Sequence, residues 1–265
     1  MISIYSDRSI LIFCLITAAV IGAVFGSFLN CAAFRTVRGE SFLKGRSVCP
    51  SCGHTLGAPD LIPVFSWLFL KGRCRYCRTR ISARYPLTEA GFALVTVLFL
   101  LRFDLSFLCL RNWLLLCCLF YLSLTDAEKL IIPDKCLLAA GLIFLVFIPL
   151  VPLSLKQAGL QLLNGFLFAG AVLLLSLLMD RLLKKESLGG GDIKLIFILG
   201  LYLRPMVMLL SLLAACLAGL LGIVIGKGRI RNDLGQFPFG PFLAGAAVLM
   251  LLVGDPLADW YLGLF

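Results

Sequence analysis

Long apolar runs separated by short polar stretches dominate this chain, and the runs have the length of membrane spans rather than of soluble helices. A span needs about 17–25 predominantly apolar residues. Runs of that kind lie near 9–34, 86–101, 106–125, 136–154, 157–179, 192–210, 205–226 and 239–254. The second is short, and the sixth and seventh merge through Leu203, Arg204 and Pro205. The pattern predicts an all-α fold, a polytopic membrane bundle of about eight transmembrane helices. The first run is too long for a cleaved signal peptide, and Asp7 offsets Arg8 ahead of it, so it reads as the first span. Pro133, Pro149, Pro152 and Pro205 fall at expected helix ends, where a missing N–H is tolerated.

One segment breaks the apolar pattern. Residues 35–85 are rich in Arg, Gly and Pro, cannot span a membrane, and read as a small domain between the first two helices. The expected organisation is therefore a first transmembrane helix over 1–34, a polar domain over 35–85 and a transmembrane bundle over 86–265.

Composition agrees: 61% of residues are hydrophobic and 14% charged, which excludes an ordinary soluble domain. The formal charge of +10 then needs an explanation, and its distribution supplies one. With eight spans, only Arg8, Arg102, Arg111, Lys156 and Arg204 of the 24 basic residues lie on one side. The rest, including Lys44, Lys185, Lys227, Arg229 and Arg231, fall on the other. The positive-inside rule makes that crowded side cytoplasmic and turns both termini outward. No nucleic-acid partner is needed to account for the charge; anionic lipid headgroups are the natural neighbours of such loops.

The polar domain carries Cys49-x2-Cys52 and Cys74-x2-Cys77, 21 residues apart. Two such pairs can set four thiolates in a tetrahedron around zinc. A reducing cytoplasm argues against disulfides, and a segment this small gains folding free energy from a metal. His54, the one histidine, reads as a polar knuckle residue rather than a ligand. The other seven cysteines sit in apolar runs as small buried hydrophobes.

The chemistry is expected at two carboxylates. Asp126 closes the third run, and Asp192 opens the sixth after Gly189, Gly190 and Gly191. A carboxylate beside the hydrocarbon core is costly and is by default a functional group. Two brought together resist double ionisation and share a proton; the ionised one activates water while the protonated one donates to a carbonyl. The glycines allow close backbone approach. Taken singly, Asp192 also fits a helix N-cap and Asp126 a solvated loop residue. Asp134, Asp180 and Asp233 lie in more polar stretches and read as solvated or ion-paired.

Taken in order, these residues resemble the type IV prepilin peptidase family of Gly-x-Gly-Asp intramembrane aspartyl proteases. The resemblance runs through Gly26-Ser27-Phe28-Leu29-Asn30, the segment from Cys49 to Cys77, Arg84-Tyr85-Pro86-Leu87-Thr88-Glu89, Asp126 with Ile132-Pro133-Asp134, Gly189 to Lys194, and Pro238-Phe239-Gly240-Pro241-Phe242. It implies that Asp126 and Asp192 are the catalytic pair. Gly189, Gly191, Lys194, Pro133 and Asp134 would support them, and Cys49, Cys52, Cys74 and Cys77 would hold zinc. It further implies removal of a basic leader after Gly from prepilins and pseudopilins, on the cytoplasmic face of the bacterial inner membrane. N-methylation of the new terminus with S-adenosylmethionine is implied as a second activity. No nucleotide loop is visible for that donor, and Glu89 is the candidate carboxylate for it. The alternatives are a peptidase without methyl transfer, a presenilin-type protease sharing only the aspartate motif, and a carboxylate transporter. The transporter fits poorly, because both aspartates fall at one face and the two halves show no repeat.

Overall fold

Each of the eight apolar runs folds into a helix. The computed structural model describes residues 4–41, 45–184, 188–225 and 237–263. Lys44, Lys185, Lys227, Arg229, Arg231 and Asp233 lie outside them. The described residues fall into two compact units, Met1–Cys109 and Leu110–Phe265.

In the first unit, α1 (Arg8–Val37) pairs with α3 (Arg84–Phe103), and the polar segment between them carries the five-residue helix α2 (Phe65–Phe69). The pairing rests on Gly22-x3-Gly26. A Cβ at Gly22 would stand 2.7 Å from the Ala93 Cα, and one at Gly26 3.2 Å from the Glu89 Cα. Small residues one turn apart let two membrane helices touch backbone to backbone, where packing rather than the hydrophobic effect drives association. Asn30 ties the same seam, donating from Nδ2 to the Thr88 hydroxyl at 2.8 Å.

In the second unit the helices are α4 (Phe107–Lys129, which starts just before the boundary), α5 (Asp134–Phe147), α6 (Leu155–Leu183), α7 (Gly190–Tyr202), α8 (Pro205–Ile225) and α9 (Gly240–Leu262). Among the described residues six helices are long and apolar enough to cross a membrane: α1, α3, α4, α6, α8 and α9. Helices α5 and α7, with 14 and 13 residues, fall short of a full span. The runs expected at 136–154 and 192–210 thus stop early. The second stops because Leu203 turns extended and Pro205 starts a new helix, so the sequence merger resolves into two elements.

Helix α7 is held by α6 with little room to spare. A Cβ at Gly200 would lie 2.5 Å from the Gly165 Cα, and Asn164 donates to the Gly200 and Leu203 carbonyls at 3.0 and 2.9 Å, closing the end of α7. Gly200→Ala is expected to cost about 1–3 kcal/mol by overpacking against backbone that cannot yield. A lowered melting temperature of the purified protein would show it. Arg111, buried in α4, donates twice to the Asn112 carboxamide oxygen and lies over the Tyr202 ring.

Candidate active site and metal centre

Asp126 lies in the last turn of α4 and is buried, 5% exposed. Asp192 lies in the first turn of α7, whose N-cap is Gly189 rather than Asp192 itself. Two contacts bring these two helix ends together. Gly191 packs on Ile132, just beyond α4, so closely that a Cβ would stand 2.9 Å from the Ile132 Cβ. Lys194 bonds Asp134 at 2.6 Å, an exposed pair that contributes little stability but bridges the start of α5 to α7. These contacts place Asp126 and Asp192 on the two joined helix ends.

The local sequence explains this placement. Leu130 takes a positive φ of 58° and ends α4, and Pro133 then starts α5. Gly191 is needed because Ile132 occupies the space a side chain would take. Asp134 is ion-paired, as its polar surroundings suggested.

The carboxylates are not equivalent. Asp126 Oδ2 accepts the Gly240 N–H at 2.9 Å, whereas the buried Asp192 Oδ1 has no hydrogen-bond partner among the described residues. Gly240 begins α9, so the positive end of a 23-residue helix faces Asp126. A Cβ at Gly240 would lie 2.7 Å from Oδ2. Gly240 is the site residue whose role sequence reasoning missed, although it stands inside the Pro238–Phe242 motif; no residue type signals a backbone N–H. Gly240→Ala should displace the Asp126 carboxylate, and the peptidase activity that the motifs imply should then fall by about 10²-fold in kcat/KM. Steady-state kinetics on the substrate class that the motifs imply, with circular dichroism to verify the fold, checks this.

The four cysteines meet in the first unit, their sulfurs within 4.8 Å of one another. The two pairs are built alike. In each, the first Cys donates its N–H to a carbonyl five residues on: Cys49 to His54 and Cys74 to Thr79, both at 2.9 Å. Each accepts from the residue after the second Cys: Gly53 at 2.8 Å and Arg78 at 3.0 Å, both at positive φ. Isolated bridges, Val48 with Thr55 and Arg73 with Arg80, close both turns. Such tight turns present both sulfurs of a Cys-x2-Cys to one point, and the donor set fits tetrahedral zinc. His54 stacks on Tyr76 at 3.6 Å between ring centroids. Asp60 braces the domain: Arg75 bonds it at 2.6 Å and holds its carboxyl below the usual carboxylate range.

Glu89, buried in α3, accepts the Val64 N–H at 2.8 Å.

Comparison with known proteins decides the family. Residues 20–103 match the bacterial peptidase A24 N-terminal domain, and residues 113–226 match the type IV leader peptidase family. A prepilin leader peptidase/N-methyltransferase of Aeromonas salmonicida (strain A449) is 38% identical over 226 residues, covering 82% of this chain and 74% of its own. The chain belongs to the type IV leader peptidase family. Proteins of the same name from Pseudomonas putida and Bacillus subtilis (strain 168) are 35% and 32% identical, covering 90% and 92% of this chain and 90% and 96% of their own. No solved structure matches. The family resemblance seen in the motifs is thereby established over both units.

Proposed function

We propose that this chain removes the basic leader of prepilins and pseudopilins with Asp126 and Asp192, then N-methylates the exposed terminal residue using S-adenosylmethionine. The convergence of Asp126 and Asp192 at two helix ends carries the reading, and the names of the relatives support the substrate class and the second activity. In the proposed mechanism Asp126 is the carboxylate. The Gly240 N–H and the start of α9 balance its charge, and it takes a proton from the attacking water. Asp192 carries the shared proton and gives it to the scissile carbonyl. The pair then titrates as a unit rather than as two separate acids. Gly189 caps α7 just ahead of Asp192 and Gly191 lets that end pack on Ile132, while Pro133, Asp134 and Lys194 hold the two segments in register.

Residues 35–85 form, in this reading, a cytoplasmic zinc domain in which Cys49, Cys52, Cys74 and Cys77 hold the metal, and 86–265 the peptidase bundle. Zinc bound there supplies folding free energy, not chemistry. With the short helices α5 and α7 counted as crossings, the orientation that follows from the basic loops puts this domain and both aspartates on the cytoplasmic side of the bacterial inner membrane. Incubating purified protein with a prepilin, with and without S-adenosylmethionine, tests both activities by intact mass. The leader should be lost in both samples, and one methyl group should be added only with the donor. An unmodified amine in the presence of donor would leave a peptidase alone.

A further inference from the structure

The first unit contains a cavity of about 580 Å³, within the range of small-molecule sites. Its lining comes from three stretches: Asn30, Cys31 and Phe34 near the end of α1, Cys49 and Cys74 of the metal cluster, and Glu89 of α3. Glu89 is the unusual member. It is 8% exposed and accepts the Val64 N–H, but among the described residues no cation is bonded to it. A buried carboxylate without a counter-ion is costly and calls for a positive partner. The donor of its one hydrogen bond is itself strained: Val64, a β-branched residue, takes φ 63°. Strain of this kind persists where the surroundings enforce it and concentrates at ligand-holding sites.

We propose that this cavity is the binding site of the methyl donor S-adenosylmethionine, with the donor's positive groups set against Glu89. The proposal rests on the methyl-transfer reading above. The donor carries a fixed positive sulfonium, an amino-acid head with both charge signs and a flat adenine ring. The lining offers a counterpart to each: Glu89 for the cationic groups, the guanidinium of Arg80 for the carboxylate, and the ring of Trp67 for stacking, the Phe34 ring being covered by Arg38 at 3.9 Å. An anionic lipid headgroup satisfies the arginines but meets Glu89 with like charge, so the acid favours a ligand that also carries positive charge, as this donor does. Cys49 and Cys74 belong to the same wall, which links the metal domain to donor binding.

The test uses the full-length protein in detergent and S-adenosylmethionine alone. Binding is measured by calorimetry, and a photocrosslinked, methyl-labelled donor is mapped by peptide mass. Wild type is expected to bind, with the crosslink between Ser27 and Glu89. Cys31→Phe, which fills the cavity, should abolish binding. Glu89→Gln keeps an acceptor for the Val64 N–H and should weaken binding by at least about tenfold, both variants retaining the wild-type melting temperature. Wild-type affinity in both variants, or crosslinks confined to residues outside 27–89, would overturn the site while leaving methyl transfer standing. No donor bound by wild type, together with unmethylated processed pilin, would overturn the methyl-transfer reading itself.

Discussion

Asp126→Asn and Asp192→Asn should each lower prepilin cleavage by about 10²–10⁴-fold or more, the contribution of a positioned acid or base, while the protein stays folded and inserted. Asparagine matches aspartate in shape, and its carboxamide oxygen still accepts the Gly240 N–H that Asp126 accepts now. It cannot take up or release the proton. In the proposed mechanism, losing either residue removes the same chemical device: without Asp126 no base would draw a proton from water, and without Asp192 no acid would meet the developing oxyanion. Unchanged circular dichroism and detergent elution would separate this loss from misfolding. The exposed Asp134, which bonds Lys194 at the rim, makes the contrast. Its replacement by Asn removes a weak surface pair and should leave most of the cleavage rate.

Loss of the metal is the second large effect. Structural zinc contributes about 10–16 kcal/mol in zinc-finger peptides, and the described part of the four-cysteine segment has little core of its own. Cys49 and Cys74 are buried at 7% and 3% exposure, whereas Phe65, Phe69 and Tyr76 of the same segment are exposed. Cys49→Ser, or chelation, should therefore unfold this segment. The amides of Cys49, Gly53, Cys74 and Arg78, now bonded within the two knuckles, would exchange with solvent at close to unfolded rates, while α4 to α9 keep their protection. Metal analysis of clean wild-type protein should find zinc, and a metal-free protein with the same exchange pattern would refute the role.

The reach of the sequence differed from element to element, for physical reasons. Long apolar runs report helices well, because only a helix satisfies its own backbone in lipid. They report helix length less well: α7 ends at Tyr202 through the turn before Pro205, inside a run that hydropathy alone joins to α8. The cysteine pairs were legible because metal ligation demands specific side chains at a specific spacing. The likeness of the two knuckles was hidden, since it is written in backbone hydrogen bonds that Ser51 and Tyr76, or Gly53 and Arg78, can equally support. The same reason concealed Gly240, which acts through its N–H and its missing Cβ. Glu89 was visible as an acid near the start of a span, but not its burial or the cavity beside it.

Leader removal from one prepilin, followed by intact mass over time with wild type, Asp126→Asn, Asp192→Asn and the double variant, is the most direct measurement of whether the two carboxylates act as one device. Residues that work as a unit lose their effects non-additively, so a double variant no slower than either single one is expected. Appreciable cleavage by either single variant, or a double variant slower by the product of the two losses, would contradict it.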